Sequence, residues 1–518
     1  MEINNILGSN YALFFMIWLA SLILVRSIFS KQPKARLPPG PLALPIIGHF
    51  HLLRPPVHQA LHKLSSRYGP MILIYLGSVP WFVVSSSEIV KEILKTHEIS
   101  FCNRPPSSAV KYLTYNAADF AFAPYGTYWK FMKKLCMSEL LNGRVLDLLL
   151  PARQEEICHF LQVILKKAHA GEAVDVGAEL VRLANSVVMR MALNKSFCTN
   201  DEEAYEVAQA VKESARVSGR LNLSDYFWLF KFLDLQGIGK KLKEVHERSD
   251  ARLESILREH ERARIKSNRK DAPEDILDLL LNISEDPSSD VRITRDNIKA
   301  FLKDIFLGGT GTIAVGVEWA VAELINHPEI MEKARKEIEQ VTGNERIVNE
   351  SDIVNLPYVQ AIVKESLRLH PPAPVILRES TESCNIAGYE IPANSRVVIN
   401  IWALGRDPKY WDDPLEFKPE RFTREDQKSQ MEVRGQNYNI LPFGSGRRGC
   451  PGASLALNIF HTTLAAMIQC FEWKPAGGDG EKNAISTIDM EEGSSVDLQR
   501  AHPLICIPKP RFLPFPLQ

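Results

Sequence analysis

At 518 residues the chain is long enough for more than one domain, yet no linker divides residues 40–518; the one candidate, "IKSNRKDAPED" (265–275), reads as a charged surface loop between helices. With 62 Lys and Arg against 62 Asp and Glu the net charge is zero, which argues against nucleic acid as a partner, since phosphate binding needs a clustered basic surface. The eight cysteines (102, 136, 158, 198, 384, 450, 470 and 506) contain no CxxC pair and no regular spacing, so neither a zinc site nor a disulfide framework is indicated and a reducing, cytosol-facing compartment fits.

From Ile3 to Val25 no residue is charged, and "YALFFMIWLASLILV" (11–25) is almost wholly apolar. As a helix this stretch reaches across the ~30 Å of a bilayer core. Arg26, Lys31, Lys34 and Arg36 follow it, against Glu2 on the other side, so the positive-inside rule places the bulk of the chain on the cytosolic face. A cleaved signal peptide would carry its basic residues ahead of the apolar run, the reverse of the order here. Residues 1–25 are therefore expected to be an uncleaved, single-pass anchor and 26–41, with "LPPGP" (37–41), a basic, proline-stiffened spacer. Residues 42–518 follow as one large domain.

Further along, "MILIYLGSVPWFVVSS" (71–86) reads as a hairpin turned at Gly77–Ser78, and "YEIPANSRVVIN" (389–400) as another short strand and turn. Helical periodicity covers 88–97, 127–142, 152–168, 201–217, 239–266, 296–326, 329–342, 358–369 and 452–470. The fold class expected is mainly α with a small segregated β-sheet. "LSDYFWLFKFLDL" (223–235) is either core or a substrate-access lip dipping into a membrane surface. "FLGGTGTIAV" (306–315) poses a question, because a glycine inside a helix costs about 1 kcal/mol relative to alanine. Gly308, Gly309 and Gly311 clear side chains away from something that comes close, and Thr312 keeps a hydroxyl there.

In "LPFGSGRRGCPGASLA" (441–456), glycines flank Cys450 and a helix starts near Gly452. A cysteine at that position feels the positive end of the helix dipole and nearby backbone N–H groups, both of which favour thiolate. Phe443, Gly446, Arg448, Cys450 and Gly452 fit the spacing F-x-x-G-x-R-x-C-x-G, and in this the chain resembles the cytochrome P-450 superfamily. "KESLRLHPP" (364–372), with Glu365 and Arg368 on one helical face, and "PERF" (419–422), with Arg421, extend the resemblance. It runs over nearly the whole chain, and "FAPYGTYWKFMKKLCMSELL" and "LNLSDYFWLFKFLDLQGIGKKLKE" are similar to endoplasmic-reticulum members of land plants that oxidise triterpenoids, flavonoids and isoflavonoids.

The resemblance implies haem b, with Cys450 as the axial thiolate to its iron. Residues 42–518 would then be a haem-thiolate catalytic domain behind an N-terminal transmembrane helix at the endoplasmic reticulum. Glu365, Arg368 and Arg421 would form a structural cluster holding the haem loop. Trp129 and Lys133 would match the family's W-x-x-x-R helix, with lysine where arginine is usual; Lys133, Arg378 and Arg448 would meet the haem propionates and Phe443 would belong to the haem loop. The helix through 308–312 would cross the oxygen site, its glycines making a groove by local widening or a kink, with Thr312 donating a hydrogen bond there and steadying a water. Gly311 stands where Asp or Glu is usual, and Asp304 and Glu318 lie about 10 Å from it along the helix axis, so protons would arrive through water and Thr312.

Pocket walls implied by the resemblance include Tyr112, Thr114, Leu307, Gly308, Ala373, Val375, Ile376 and Val496. The cleared volume favours a bulky, apolar pentacyclic triterpenoid over a flat flavonoid or isoflavonoid. The expected activity is monooxygenation of that small hydrophobic substrate with O2, stepwise oxidation of one methyl reaching an alcohol, aldehyde or acid. Electrons would come from NADPH through a separate reductase, as this chain has no nicotinamide or flavin fingerprint. An O2-independent haem-thiolate isomerase or dehydratase is the remoter alternative.

Overall fold

The computed structural model describes residues 36–193, 213–227, 233–267, 275–343, 345–423, 432–476 and 487–511, with 16–18, 21, 209–210 and 230 besides. Strands β1 (Met71–Leu76) and β2 (Val79–Val84) form the expected hairpin. Gly77 turns it at φ +58°, a left-handed conformation that glycine adopts at little cost. β2 pairs in parallel with β7 (Arg396–Asn400), which pairs antiparallel with β4 (Val375–Glu379), giving a four-stranded sheet in the order β1-β2-β7-β4. β3 (Val174–Asp175), β9 (Ile505–Pro510) and β8 (Phe471–Pro475) make a three-stranded sheet, and β5 (Cys384–Ile386) and β6 (Tyr389–Ile391) a two-stranded one. The single strand read at 389–400 is thus β6 and β7, parted by Pro392 and a left-handed Asn394.

The rest is helical: α1 (Val57–Tyr68), α2 (Thr127–Leu135), α3 (Leu150–Ala170), α4 (Val176–Leu193), α5 (Ile238–Ser267), α6 (Ile276–Glu285), α7 (Arg295–Asn326), α8 (Pro328–Thr342), α9 (Pro357–Leu369) and α10 (Ala453–Cys470). The helix expected at 127–142 changes after α2 to a wider π turn over Cys136–Leu140. Most of 201–217 and part of 223–235 lie outside the described residues. α7 is the central beam, packed against α4 and α10. Thr294 and Asn297 close its N-terminus with a reciprocal capping box. Trp319, fully buried on it, donates to Leu498 O (2.6 Å) and stacks on His370 at 4.1 Å, so the helix is fixed laterally as well as by its apolar faces.

One expectation about the fold is corrected. Among the described residues, the helices long and apolar enough to cross a membrane are internal, α7 and α10, and 67% and 72% of their most apolar stretches are buried within the protein. They are apolar because protein, not lipid, surrounds them. The N-terminal membrane helix is therefore not part of the fold the structure shows; of residues 1–25, only 16–18 and 21 are among those described.

Candidate active site

The cysteine loop is built by its glycines. Gly444 and Gly446 both take left-handed φ (+68° and +69°), and a side chain on Gly446 would run into the Glu98 carboxylate. The loop then closes on itself: Cys450 N donates to Phe443 O (2.8 Å) and Gly449 N to Gly446 O (2.9 Å). Cys450 is solvent-accessible, yet protein surrounds it densely enough for burial to push its thiol pKa up. Together these describe a sulfur on a cavity wall. The Gly452 N–H and the Lys133 charge pull the other way but do not win. The dipole argument for a free thiolate therefore fails here; it is metal coordination that deprotonates such a thiol outright.

The cations expected around this loop are all present. Lys133, on α2, donates to Gly449 O (3.0 Å). Arg448 lies 4.5 Å over the buried Trp129 ring and donates to the carbonyls of Cys102 (2.7 Å), Phe120 (3.3 Å), Ala121 (3.4 Å) and Ala123. Arg378 is buried and, among the described residues, donates only to its neighbour Leu377 O (3.2 Å). Nothing in the sequence pointed to Arg104, whose buried Nε has no partner among the described residues. Burial, then repulsion from Arg104 and Arg448, drives Arg378 well below its ordinary range, and burial, then repulsion from Arg104, brings Arg448 down to about 10. Among the described residues none of the three has a carboxylate within salt-bridge distance. A thiol on a cavity wall beside buried guanidiniums with unengaged donors fits haem, which brings iron to the sulfur and two carboxylates to the arginines.

α7 runs as a continuous α-helix through 308–312, without the local widening that the resemblance implied as one way to make a groove. Instead Thr312 Oγ1 donates to Gly308 O (2.6 Å). The glycines differ in purpose. A Cβ on Gly308 would meet nothing within 4 Å, whereas one on Gly309 would stand 2.6 Å from Val188 Cγ2 of α4. Gly308 thus leaves open space and Gly309 lets two helices touch. Gly311 is buried, as is Thr310, whose hydroxyl has no partner among the described residues. Neither acid flanking Gly311 turns toward Thr312: Asp304 accepts from Phe120 N and Ala121 N, and Glu318 accepts from Leu504 N and lies against Gly177.

Glu365 and Arg368 are fully buried and paired through two hydrogen bonds (2.6 and 2.7 Å). Arg368 donates further to the carbonyls of Gly405, Pro414 and Glu416, while Arg421 Nε reaches Glu365 Oε1 at 3.3 Å. The cluster therefore ties α9 to the 405–421 segment.

The expected pocket residues are only partly brought together. Ile376 Cδ1 would lie 3.5 Å from a Cβ on Gly444, so it touches the cysteine loop. Leu498 N donates to Pro372 O (2.9 Å), which holds the Val496 turn beside Ala373; Val496 is 52% exposed and Val375 partly buried. Leu307 is partly buried on α7, next to Gly308. Thr114 has its hydroxyl engaged by Val110 O (2.6 Å) and Ala117 N (2.9 Å), and Tyr112 packs on the cluster of Val217, Ile238 and Leu242. The Thr114 hydroxyl is thus engaged within its own turn.

The family model for Cytochrome P450 matches residues 38–492. The chain belongs to the cytochrome P450 family. Among curated proteins it is 50% identical to 3,9-dihydroxypterocarpan 6A-monooxygenase of Glycine max over 98% of this chain and 99% of that one. It is 48% identical to Beta-amyrin 24-hydroxylase of Glycine max over 98% of each. A solved zebra fish cytochrome P450 with progesterone superposes with a TM-score of 0.73 at 27% identity, covering 88% of this chain and all of that one. This P450 is accordingly of the plant microsomal type, a haem-thiolate oxidoreductase that takes haem b through a cysteine and is supplied by an NADPH-dependent reductase. When bound, the haem supplies thiolate-ligated iron for activating dioxygen.

Proposed function

We propose that this P450 is a monooxygenase that hydroxylates a flavonoid-derived skeleton of the isoflavonoid or pterocarpan class. The reading rests on one observation: the 50% identity, end to end, with 3,9-dihydroxypterocarpan 6A-monooxygenase. It reverses the order expected from the sequence, where cleared volume put a triterpenoid first. That second reading keeps specific support in the 48% identity with Beta-amyrin 24-hydroxylase and in the open space at Gly308. In either case one oxygen atom of O2 enters a C–H bond and the other leaves as water, using two electrons and two protons.

Cys450 would hold the iron, with Arg104 and Arg378 offering their unengaged donors to the propionates. Lys133, Arg448 and Trp129 would brace the cysteine loop, and the Glu365–Arg368–Arg421 cluster would fix the chain behind it. Thr312 would hold a water at its oxygen while its proton points to Gly308 O. With Asp304 and Glu318 engaged elsewhere, that water would stand in for the acid missing at Gly311. Residues 42–518 would form this catalytic body, working on the cytosolic side of the endoplasmic reticulum.

The test is product formation in yeast microsomes carrying this protein and a plant reductase, supplied with labelled dioxygen and a panel of pterocarpans, isoflavonoids and pentacyclic triterpenes. A labelled, NADPH-dependent phenolic product supports the reading. Label only in a triterpene alcohol or acid replaces it with the second. No label in any product, with an intact thiolate spectrum, sets both aside in favour of O2-independent chemistry.

A further inference from the structure

Residues 118–123 form a loop gripped from both sides. From α7, Asp304 Oδ2 accepts from Phe120 N (2.9 Å) and Ala121 N (3.1 Å), and Asn297 Nδ2 donates to Ala118 O (2.9 Å). From α2, the Tyr128 hydroxyl donates to the same Ala118 carbonyl (2.5 Å). From the cysteine loop, Arg448 donates to the carbonyls of Phe120, Ala121 and Ala123. One short loop thereby joins the helix bearing Thr312 to the loop bearing Cys450.

Within this grip two acids meet. The Asp304 carboxyl is hydrogen-bonded to that of Asp119, which is 1% exposed. Two carboxylates have no donor between them, so such a bond requires a proton. Asp119 Oδ1 accepts from Phe122 N (3.2 Å), but its buried Oδ2 finds no N–H or hydroxyl donor among the described residues. Asp304 Oδ2 already accepts two backbone N–H groups, which leaves Oδ1 to carry the proton and donate it.

We propose that Asp304 and Asp119 are positioning residues, a proton-sharing pair that fixes the 118–123 loop against the active site, with Asp304 as the protonated donor. The surrounding charges agree. Burial pushes Asp304 well above the ordinary carboxylate range and Asp119 up to about 6; the hydrogen bond from Asp304, then the Phe122 N–H, then Arg104 and Arg448, draw Asp119 back down. Beside them, burial drives Lys303 down to about 8 and raises Tyr128 and Cys136, which stay neutral. A carboxyl whose folded pKa is raised favours the folded arrangement while protonated and loses that contribution as pH rises through its folded value. The grip on the loop is therefore full only below the ordinary carboxylate range and weakens as pH rises toward Asp304's raised value, above which two adjacent carboxylates repel. This holds whichever skeleton the enzyme oxidises.

The experiment is hydrogen exchange at Phe120 and Ala121 in the haem-loaded enzyme from about pH 6.5 to about pH 9, corrected for the intrinsic pH dependence of exchange, with binding of 1-phenylimidazole followed by its Soret shift as a second reading. Native enzyme should lose protection by about tenfold or more across that range, and the azole affinity should change with it. Asp304→Asn, whose amide oxygen accepts the same two N–H groups and whose NH2 donates to Asp119, should stay protected and flat with pH. Asp304→Ala should be unprotected throughout; if it fails to retain haem, the Asn variant alone decides. Protection that ignores pH in the native enzyme, or an Asn variant that titrates like native or loses protection, overturns the proposal.

Discussion

Lys133 Nζ sits 3.0 Å from the carbonyl oxygen of Gly449, so a charged donor on α2 grips the residue immediately before Cys450 across 316 positions of sequence. A hydrogen bond from a charged group contributes about 1.5–3 kcal/mol when well buried, and Lys133 is only partly so. Lys133→Ala should therefore weaken retention of haem, read as faster loss of the carbonyl-bound thiolate absorption band on warming. Lys133→Arg should restore most of the retention, because its guanidinium can reach the same carbonyl.

Thr312 offers a sharper test of proton delivery. Thr312→Val keeps the volume and removes the hydroxyl, and misplacing a proton-transfer group costs about 100-fold or more in the step it serves. Product formed per NADPH consumed should fall steeply, the difference appearing as hydrogen peroxide. Thr312→Ser should retain most of the native ratio. Equal coupling in all three proteins would remove the threonine from the relay.

The two neighbouring glycines of α7 should respond in opposite ways. Gly308→Ala meets no atom within 4 Å and gains about 1 kcal/mol of helix propensity, so stability should rise or hold while the turnover ratio of large to small substrates falls. Gly309→Ala drives a methyl to 2.6 Å from Val188 Cγ2 and should destabilise the α4–α7 contact by about 1–3 kcal/mol. Thermal unfolding and substrate competition, measured side by side, separate the two effects.

Glu365 and Arg368 have no access to solvent, and removing one member of such a pair costs about 3–5 kcal/mol because it strands the other charge. Glu365→Ala should fail to accumulate as haem-loaded protein in microsomes. Lys333→Ala, at an exposed ion pair with Glu420, should accumulate normally, since surface pairs contribute about 0–1 kcal/mol.

The cysteine loop was legible in the sequence because it depends on residues close along the chain: Gly444, Gly446 and Cys450 have to occupy one turn. α7, α9 and α10 were legible for the same reason, their periodicity and end signals being local. α4 was not anticipated, because burial on nearly all sides, from Val176 to Leu193, erases the apolar stripe that marks a surface helix. Nor could the sequence show Arg104 joining Arg378 and Arg448, or Asp119 meeting Asp304 across 185 positions, since those juxtapositions exist only after the chain is folded. The apolar composition of residues 1–25 was readable, but the apolar helices that the structure displays turned out to be those of the protein's own interior.

The grip on residues 118–123 has a consequence for how substrate preference can change. Asp304 holds Phe120 and Ala121 by their amide protons, and Arg448 holds Phe120, Ala121 and Ala123 by their carbonyl oxygens. Such contacts are indifferent to which side chains the loop carries. Substitutions at the half-buried Ala121 and Phe122 can therefore change the side chains the loop presents while the anchoring persists, whereas Phe120 and Ala123 are buried in the core. An inherited frame of this kind can diverge toward different molecules by ordinary point mutation, without first having to reinvent the way its cover is fastened.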